Sequence, residues 1–263
     1  MSHRWGQCFL TDIATRQRIV DAASITAQDH VIEIGPGHGE LTALYAAKAA
    51  RVTAIEIDPA LCARLNETYH ASTNIEILQG DVRAINFEAI ASGTPPVILG
   101  NLPYYCSKPI LEKILECNVY KRSVIMLQSE LVHRLTAGPG TSEVAALTIF
   151  FQWRAQGSLL FDVPATCFRP QPKVGSSVIA FSPSSAPASQ GLKAAFKHVV
   201  NAAFHNRRKM LTNNLMRILP HTDKKAVEGI LIACGIASNA RAQEICVDDF
   251  LKLTALTREK IGM

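Results

Sequence analysis

Val31-Ile32-Glu33-Ile34-Gly35-Pro36-Gly37-His38-Gly39-Glu40 runs from an apolar strand pattern through three glycines into a helical pattern. The apolar run is too continuous for a half-exposed strand and reads as one buried on both faces. Glycines after such a strand permit positive φ and let a ligand approach the backbone closely. In an open α/β sheet, ligands bind at the carboxyl ends of the strands, which is where this turn falls.

The pattern repeats outward from the turn. Residues 52–57, 75–78, 97–99 and 124–127 join 31–34 as buried strands, with helical patterns at 40–50, 60–70 and 110–117 between them. Such alternation implies a parallel sheet covered by helices on both faces, an α/β fold of Rossmann-like kind. Residues 147–153 and 177–181 are apolar enough to add two strands, as an antiparallel edge. The stretch 182–191 is uncharged and rich in Ser and Pro, so it reads as a boundary. Beyond it, 193–204, 207–219, 224–234 and 248–257 look helical. The expected organisation is a Rossmann-like domain over 1–182, a linker over 183–191 and a small basic helical domain over 192–263.

The dinucleotide fingerprint wants glycine at its first, third and sixth positions. Here the last glycine, Gly39, stands fifth and Glu40 sixth. That spacing argues against a pyrophosphate and suits a nucleoside cofactor without phosphates, such as S-adenosylmethionine. Glu56 ends the second strand 21 residues after Gly35, where a carboxylate can accept from both ribose hydroxyls. Asp81, followed by Val82, ends the third strand and can accept from an adenine amino group.

Asn101-Leu102-Pro103-Tyr104 closes the fourth strand. The Asn amide offers both donors and acceptors, the proline stiffens the backbone, and the tyrosine presents a flat face. This set suits a grip on the exocyclic amino group of a flipped-out base. An isolated Asn-x-Pro-Tyr is more often a strand followed by a turn; three cofactor-type strand ends before it favour the working site.

Composition narrows the class. At 263 residues, 48% hydrophobic and 19% charged, the chain has ample core. Its most apolar stretch, 144–153, ends at Arg154 and is half the length of a membrane span. With no secretory-type leader pattern, and seven scattered cysteines lacking any Cys-x-x-Cys, a cytoplasmic protein with reduced thiols is expected. The eight histidines show no ligand spacing, so no metal is expected. Up to Gly191, 15 Lys and Arg stand against 16 Asp and Glu, and after it 12 stand against 6. Basic charge thus gathers in the last quarter, which hints at an anionic partner such as nucleic acid.

Several motifs occur in one order: Gly6-Gln7-Cys8-Phe9-Leu10, Gly35-x-Gly37-x-Gly39, Asn101 to Tyr104, and Phe168-Arg169-Pro170-Gln171-Pro172-Lys173-Val174. Together they resemble the ribosomal RNA adenine dimethylase family. The run from Ala203 to Leu211, with Arg207-Arg208-Lys209, and the later Arg241-Ala242-Gln243-Glu244-Ile245 resemble its small-subunit, KsgA-type branch. The resemblance implies methyl transfer from S-adenosylmethionine to N6 of two adjacent adenines near the 3′ end of small-subunit rRNA, each methylated twice. It implies Gln7, Cys8, Leu10, Gly35, Gly37, Glu56, Asp81, Val82 and Asn101 around the cofactor. Asn101, Leu102, Pro103, Tyr104 and Phe168 would surround the base, and Lys173, Arg207, Arg208 and Lys209 would face RNA. The expected partner is small-subunit rRNA in a pre-ribosomal particle, met by a monomer away from any membrane.

The chain departs from the family pattern at Cys8 (usually Asn), at Tyr105-Cys106 (commonly Asn-Ile) and at Gly175 (usually Asp). Two other readings share the fold: a large-subunit rRNA methylase conferring macrolide resistance, and a non-catalytic nucleic-acid-binding assembly or transcription factor. Leu102 and the basic run favour the small-subunit branch, and the joint presence of Gly35, Glu56, Asp81 and Asn101 argues against lost chemistry.

Overall fold

The computed structural model describes residues 8–91, 93–117, 119–184 and 189–262. Gly6, Gln7 and positions 185–188 of the expected linker lie outside the described residues. The first elements are β1 (Phe9–Leu10), α1 (Ile13–Ala22), β2 (His30–Ile34), α2 (Glu40–Ala46), β3 (Arg51–Glu56) and α3 (Pro59–Thr68). Next come β4 (Ile75–Gln79), α4 (Phe87–Ala91), β5 (Val97–Asn101), α5 (Ser107–Cys117) and β6 (Arg122–Gln128). Then follow α6 (Ser129–Leu135), α7 (Ala146–Arg154), β7 (Ala155–Val163), β8 (Phe168–Arg169) and β9 (Ser176–Pro183). The last helices are α8 (Gln190–Ala203), α9 (Leu211–Leu215), α10 (Lys224–Ala233) and α11 (Val247–Thr257).

Seven strands form one sheet in the order β4-β3-β2-β5-β6-β9-β7. The first five pair in parallel and the last two antiparallel, so the expected α/β fold is the one observed. All five residues of β2 are buried, as a parallel strand covered on both faces requires. A second, two-stranded ribbon pairs β1 with β8, with Leu10 opposite Phe168.

The chain divides into two compact units: one comprises the chain up to Val132 with Ala155–Pro183, the other His133–Arg154 with Ser184–Met263. The sequence-based boundary near residue 182 therefore misses one excursion, because His133–Arg154 packs with the later helices. The expected strand at 147–153 is helix α7, and the edge strand β7 begins only at Ala155. A short apolar run has no period that separates buried helix from buried strand. Tertiary contacts choose the helix. Trp153 stacks on Phe196 of α8 with ring centroids 4.1 Å apart. Thr148 Oγ1 donates to the Arg134 carbonyl and accepts from Ala145 N–H, at 2.8 and 3.0 Å.

In the second unit, Phe196, Val199, Leu211, Leu231 and Phe250 belong to a core of their own. The expected helix over 207–219 is shorter than its pattern: α8 ends at Ala203, residues 204–208 turn, and α9 covers only Leu211–Leu215. Buried Asn214 explains the break. Its amide donates to the carbonyls of Ala203 and Asn206, at 2.7 and 3.0 Å, and so satisfies the carbonyls that the end of α8 leaves open.

Within the first unit, β2 and β5 meet where β5 carries Gly100. A Cβ there would lie 2.7 Å from the Ile34 carbonyl oxygen and 3.2 Å from the Ile34 Cβ, too close for backbone to yield cheaply. Gly100→Ala should therefore spread the two strands next to Asn101, costing about 1–3 kcal/mol as other overpacked cores do. Urea unfolding should show a lower midpoint; an unchanged midpoint would mean that the strand junction tolerates the methyl.

Candidate active site

Parallel register brings the ends of β2, β3, β4 and β5 to one rim, with Ile34 opposite Ile55 and Gly100, and Glu56 opposite Gln79. The turn after β2 holds Gly35, Gly37 and Gly39 at φ of +70°, +61° and +90°, values that side-chain-bearing residues rarely adopt. Gly39 is the N-cap of α2, and its carbonyl accepts from the Tyr69 hydroxyl at 2.7 Å. The Phe9 ring of β1 covers the turn: a Cβ at Gly37 would touch it at 3.0 Å, and it stacks on His38 at 4.2 Å between centroids.

Glu56 is buried and binds the turn. Its carboxylate accepts from the backbone N–H groups of Gly37, Ile57 and Asp58 at 3.3, 2.9 and 3.0 Å. Burial raises its pKa, and these backbone donors pull against the rise. Glu33, one strand over, is a second buried carboxyl, and the pattern reading passed over it. Thr42 Oγ1 donates to it at 2.6 Å. Burial pushes its pKa up to about 8, with Glu56 and Glu40 adding to the rise against the Thr42 bond, so at neutral pH it is mainly the uncharged acid. A carboxylic residue within a glycine motif gives no sign of its protonation; the signal lies in strand periodicity, which puts Glu33 in a run buried on both sides.

Two clefts open along the rim and share Gly35 and Pro103. The first, about 750 Å³ out to its mouth, is lined by Cys8, Leu10, Glu33, Gly37, Asn101, Leu102, Tyr104 and Phe168 among others. The second, about 470 Å³, takes Glu56, Ile57, Asp81, Val82 and Tyr105. Asp81 receives Arg83 in a forked pair, Nε at 3.0 Å from both carboxylate oxygens and Nη2 at 2.5 Å from one. Those hydrogen bonds hold its carboxyl below the usual range. The second cleft offers flat apolar walls at Ile57 and Val82 and carboxylates at Glu56 and Asp81, and Asp81 neutralises the cation it contains, Arg83. That donor set fits a nucleoside and opposes a phosphate.

In the first cleft the Asn101 amide Nδ2 donates to the Cys8 carbonyl at 3.3 Å. Leu102, Pro103 and Tyr104 leave the strand immediately beyond, and Leu102 N–H is tied to the Met126 carbonyl at 3.1 Å. The Tyr104 hydroxyl shares a hydrogen bond with Ser176 Oγ at 2.7 Å, which fixes its ring. Phe168 is 1% exposed and packed with Leu10, Met126 and Val178, so its ring backs the cleft from the core side. The cysteine at position 8 uses its backbone here, so its side chain is not needed for the contact with Asn101.

The remaining candidates spread out. Lys173 is exposed in the first unit, and Arg208 and Lys209 are exposed in the second. Arg207, expected to face RNA, donates through Nη2 to the carbonyls of Ser142 and Val144, the latter at 2.9 Å, and so ties a turn inside its own unit. Among the described residues no helix is long and apolar enough to cross a membrane.

A parallel sheet whose strand ends assemble a nucleoside cleft beside an Asn-Leu-Pro-Tyr turn defines a methyltransferase with an adenosyl cofactor. More particularly, residues 1–258 match the family model for ribosomal RNA adenine dimethylase, and the chain belongs to that family. Ribosomal RNA small subunit methyltransferase A of Bacillus licheniformis is 38% identical over 263 residues, covering 97% of this chain and 90% of that one. The protein of the same name from Leuconostoc citreum is 36% identical over 261 residues, with 96% and 88% covered. Among solved structures, a dimethyladenosine transferase from Plasmodium falciparum superposes with a TM-score of 0.84 at 24% identity, covering 96% of this chain and 98% of its own. At that identity the likeness speaks for the fold. The 23S rRNA methyltransferase ErmE superposes with a TM-score of 0.73 at 25% identity, covering 97% and 100%.

Glu33 carries a pH signature. Its folded pKa lies above its unfolded value, so the stability it contributes is complete below about 4.3 and is lost as pH rises towards about 8. Glu33→Gln cannot titrate and should gain on the natural protein across that window. Urea midpoints at pH 5 and pH 8 should diverge in favour of the variant; a gap that stays constant with pH would show that Glu33 does not titrate in the window.

Proposed function

We propose that the protein transfers methyl groups from S-adenosylmethionine to N6 of two adjacent adenines near the 3′ end of small-subunit (16S) rRNA, forming N6,N6-dimethyladenosines during ribosome biogenesis. One observation carries the reading: Asn101 and Tyr104 share a cleft with the glycine turn, and that cleft adjoins the nucleoside cleft at Gly35 and Pro103. Relatives at 36–38% identity are named for the small subunit, which supports that choice over the large-subunit reading. Retention of Glu56, Asp81 and Asn101 at the rim supports an enzyme over a silent binding factor.

When bound, S-adenosylmethionine supplies an electrophilic methyl group on a sulfonium. The chain's own work is then placement. Asp81 offers an oxygen to the adenine amino group of the cofactor, between Ile57 and Val82, and Glu56 holds the turn while facing the ribose. Asn101 has its amide N–H on the Cys8 carbonyl, which leaves its side-chain oxygen to accept an N6 proton of the target adenine. The Asn101 or Leu102 carbonyl can take the other. Two such bonds favour a pyramidal nitrogen with an available lone pair, and the displaced proton passes to water.

Flipping the adenine out costs a few kcal/mol. Stacking on Tyr104, with Phe168 behind it, contributes roughly 1–3 kcal/mol per base and offsets most of that cost. Lys173, Arg208 and Lys209 meet phosphates, and Arg207 holds the turn that presents its two neighbours. The substrate is a pre-ribosomal particle, engaged by a cytoplasmic monomer without a metal.

Primer extension through the small-subunit 3′ region should stop at two adjacent adenines when the protein is present and read through when it is absent. Identical stops in both samples would sink the assignment. Asn101→Ala should still bind RNA, while methyl transfer slows by on the order of 10²-fold, the scale seen when one transition-state hydrogen bond is removed. A transfer rate equal to that of the natural protein would refute the role of Asn101.

A further inference from the structure

Arg16 lies on α1, outside the motifs singled out above, yet it lines the first cleft. Its Nε and Nη2 converge on a single acceptor, the carbonyl of Leu10, at 2.9 and 2.6 Å. The same Nη2 stands 3.6 Å from Glu40 Oε1, and the Arg16 side chain is 17% exposed. Glu40 is the first residue of α2, the helix that the glycine turn feeds. One cation therefore joins β1, α1 and the end of the cofactor turn.

What Arg16 holds matters because β1 is a short strap, anchored by the buried Leu10 side chain and by few backbone bonds. It is two residues long and, among the described residues, pairs only with the equally short β8, and an isolated two-stranded ribbon is marginal in water. The strap nevertheless reaches several parts of the first cleft. Phe9 lies against Gly37 and His38, and the Cys8 carbonyl receives the Asn101 amide. Thr11 N–H and Oγ1 bond the Cys167 carbonyl at 2.8 and 3.1 Å, next to Phe168. Asp12 caps α1 through Thr15 N–H at 2.7 Å, so strap, cap and latch close a short ring.

We infer that Arg16 is a positioning residue: it latches the strap Cys8–Leu10 over the glycine turn and thereby sets the affinity for the methyl donor. Charge-assisted bonds to a backbone carbonyl are among the stronger ones available. The bond lies outside the seven-stranded sheet, so its loss loosens the strap and leaves that sheet standing. Lysine cannot replace the fork, because one ammonium cannot reproduce the guanidinium's paired donors and reach Glu40 as well.

The inference rests on the methyltransferase reading, and its test keeps the two apart. With the full-length chain, calorimetry should give an S-adenosylmethionine Kd about tenfold weaker for Arg16→Met, with Arg16→Lys in between. On small-subunit particles the KM for the donor should rise by a similar factor, with the KM for the particle unchanged and kcat within about threefold. Urea midpoints of both variants should stay near that of the natural protein. Equal donor affinity in the natural protein and Arg16→Met overturns the latch. So does a loss that affects both substrates alike, falls with the urea midpoint and is not eased by lysine. A natural protein that fails to bind S-adenosylmethionine overturns instead the reading on which the latch rests.

Discussion

The site depends first on parallel register. Because β2, β3, β4 and β5 run the same way and pair residue against residue, their carboxyl ends fall on one line, and four turns leave the sheet side by side. The glycine turn, Glu56, Asp81 and Asn101 are far apart in sequence and near in space for that reason alone. Gly100 makes the tightest junction of this arrangement, since the methyl it lacks would meet the Ile34 carbonyl. The residue that permits the close approach is the one that immediately precedes Asn101.

The rim gathers acidic side chains, and the structure resolves their repulsion in different ways. Glu56 is surrounded by backbone donors from the turn it faces, which favours its charge against burial. Glu33 has the Thr42 hydroxyl as its hydrogen-bond donor in a fully buried place, and its proton stays on to high pH. Asp81, nearer solvent, is met by Arg83. Burial thus moves Glu33 one way and Arg83 moves Asp81 the other, and the rim keeps oxygen acceptors for hydroxyl and amino groups. Acceptors of this kind offer a phosphate no hydrogen-bond donor, which agrees with the displaced third glycine.

Much of this was legible from sequence. Continuous apolar runs marked the parallel strands, because burial on both faces leaves no room for polar alternation; β4, expected to be buried, is instead the half-exposed edge of the sheet. The glycine turn marked the sheet's binding edge. Residues 147–153 were misread as strand because a buried helix and a buried strand look alike when every position is apolar; Phe196, distant in sequence, decides it. Arg207 was expected to face RNA with its neighbours, because a run of charges does not reveal which one folds back. Its carbonyl partners lie some sixty residues earlier. Arg16 and Glu33 were missed for a related cause: neither residue type in its local context signals what it touches.

The departure from the family pattern at position 8 falls where the side chain matters least. Cys8 stands where Asn is usual, yet the contact to Asn101 is made by the Cys8 carbonyl, which any residue supplies. The backbone contact depends on the position of the strap instead, and the strap is placed by Phe9 against the glycine turn and by Arg16 on the Leu10 carbonyl. A site whose inner contacts are backbone can exchange side chains freely at the contact and only sparingly at the supports. In this chain the support lies at positions 9 and 16, one on each side of the backbone that position 8 presents.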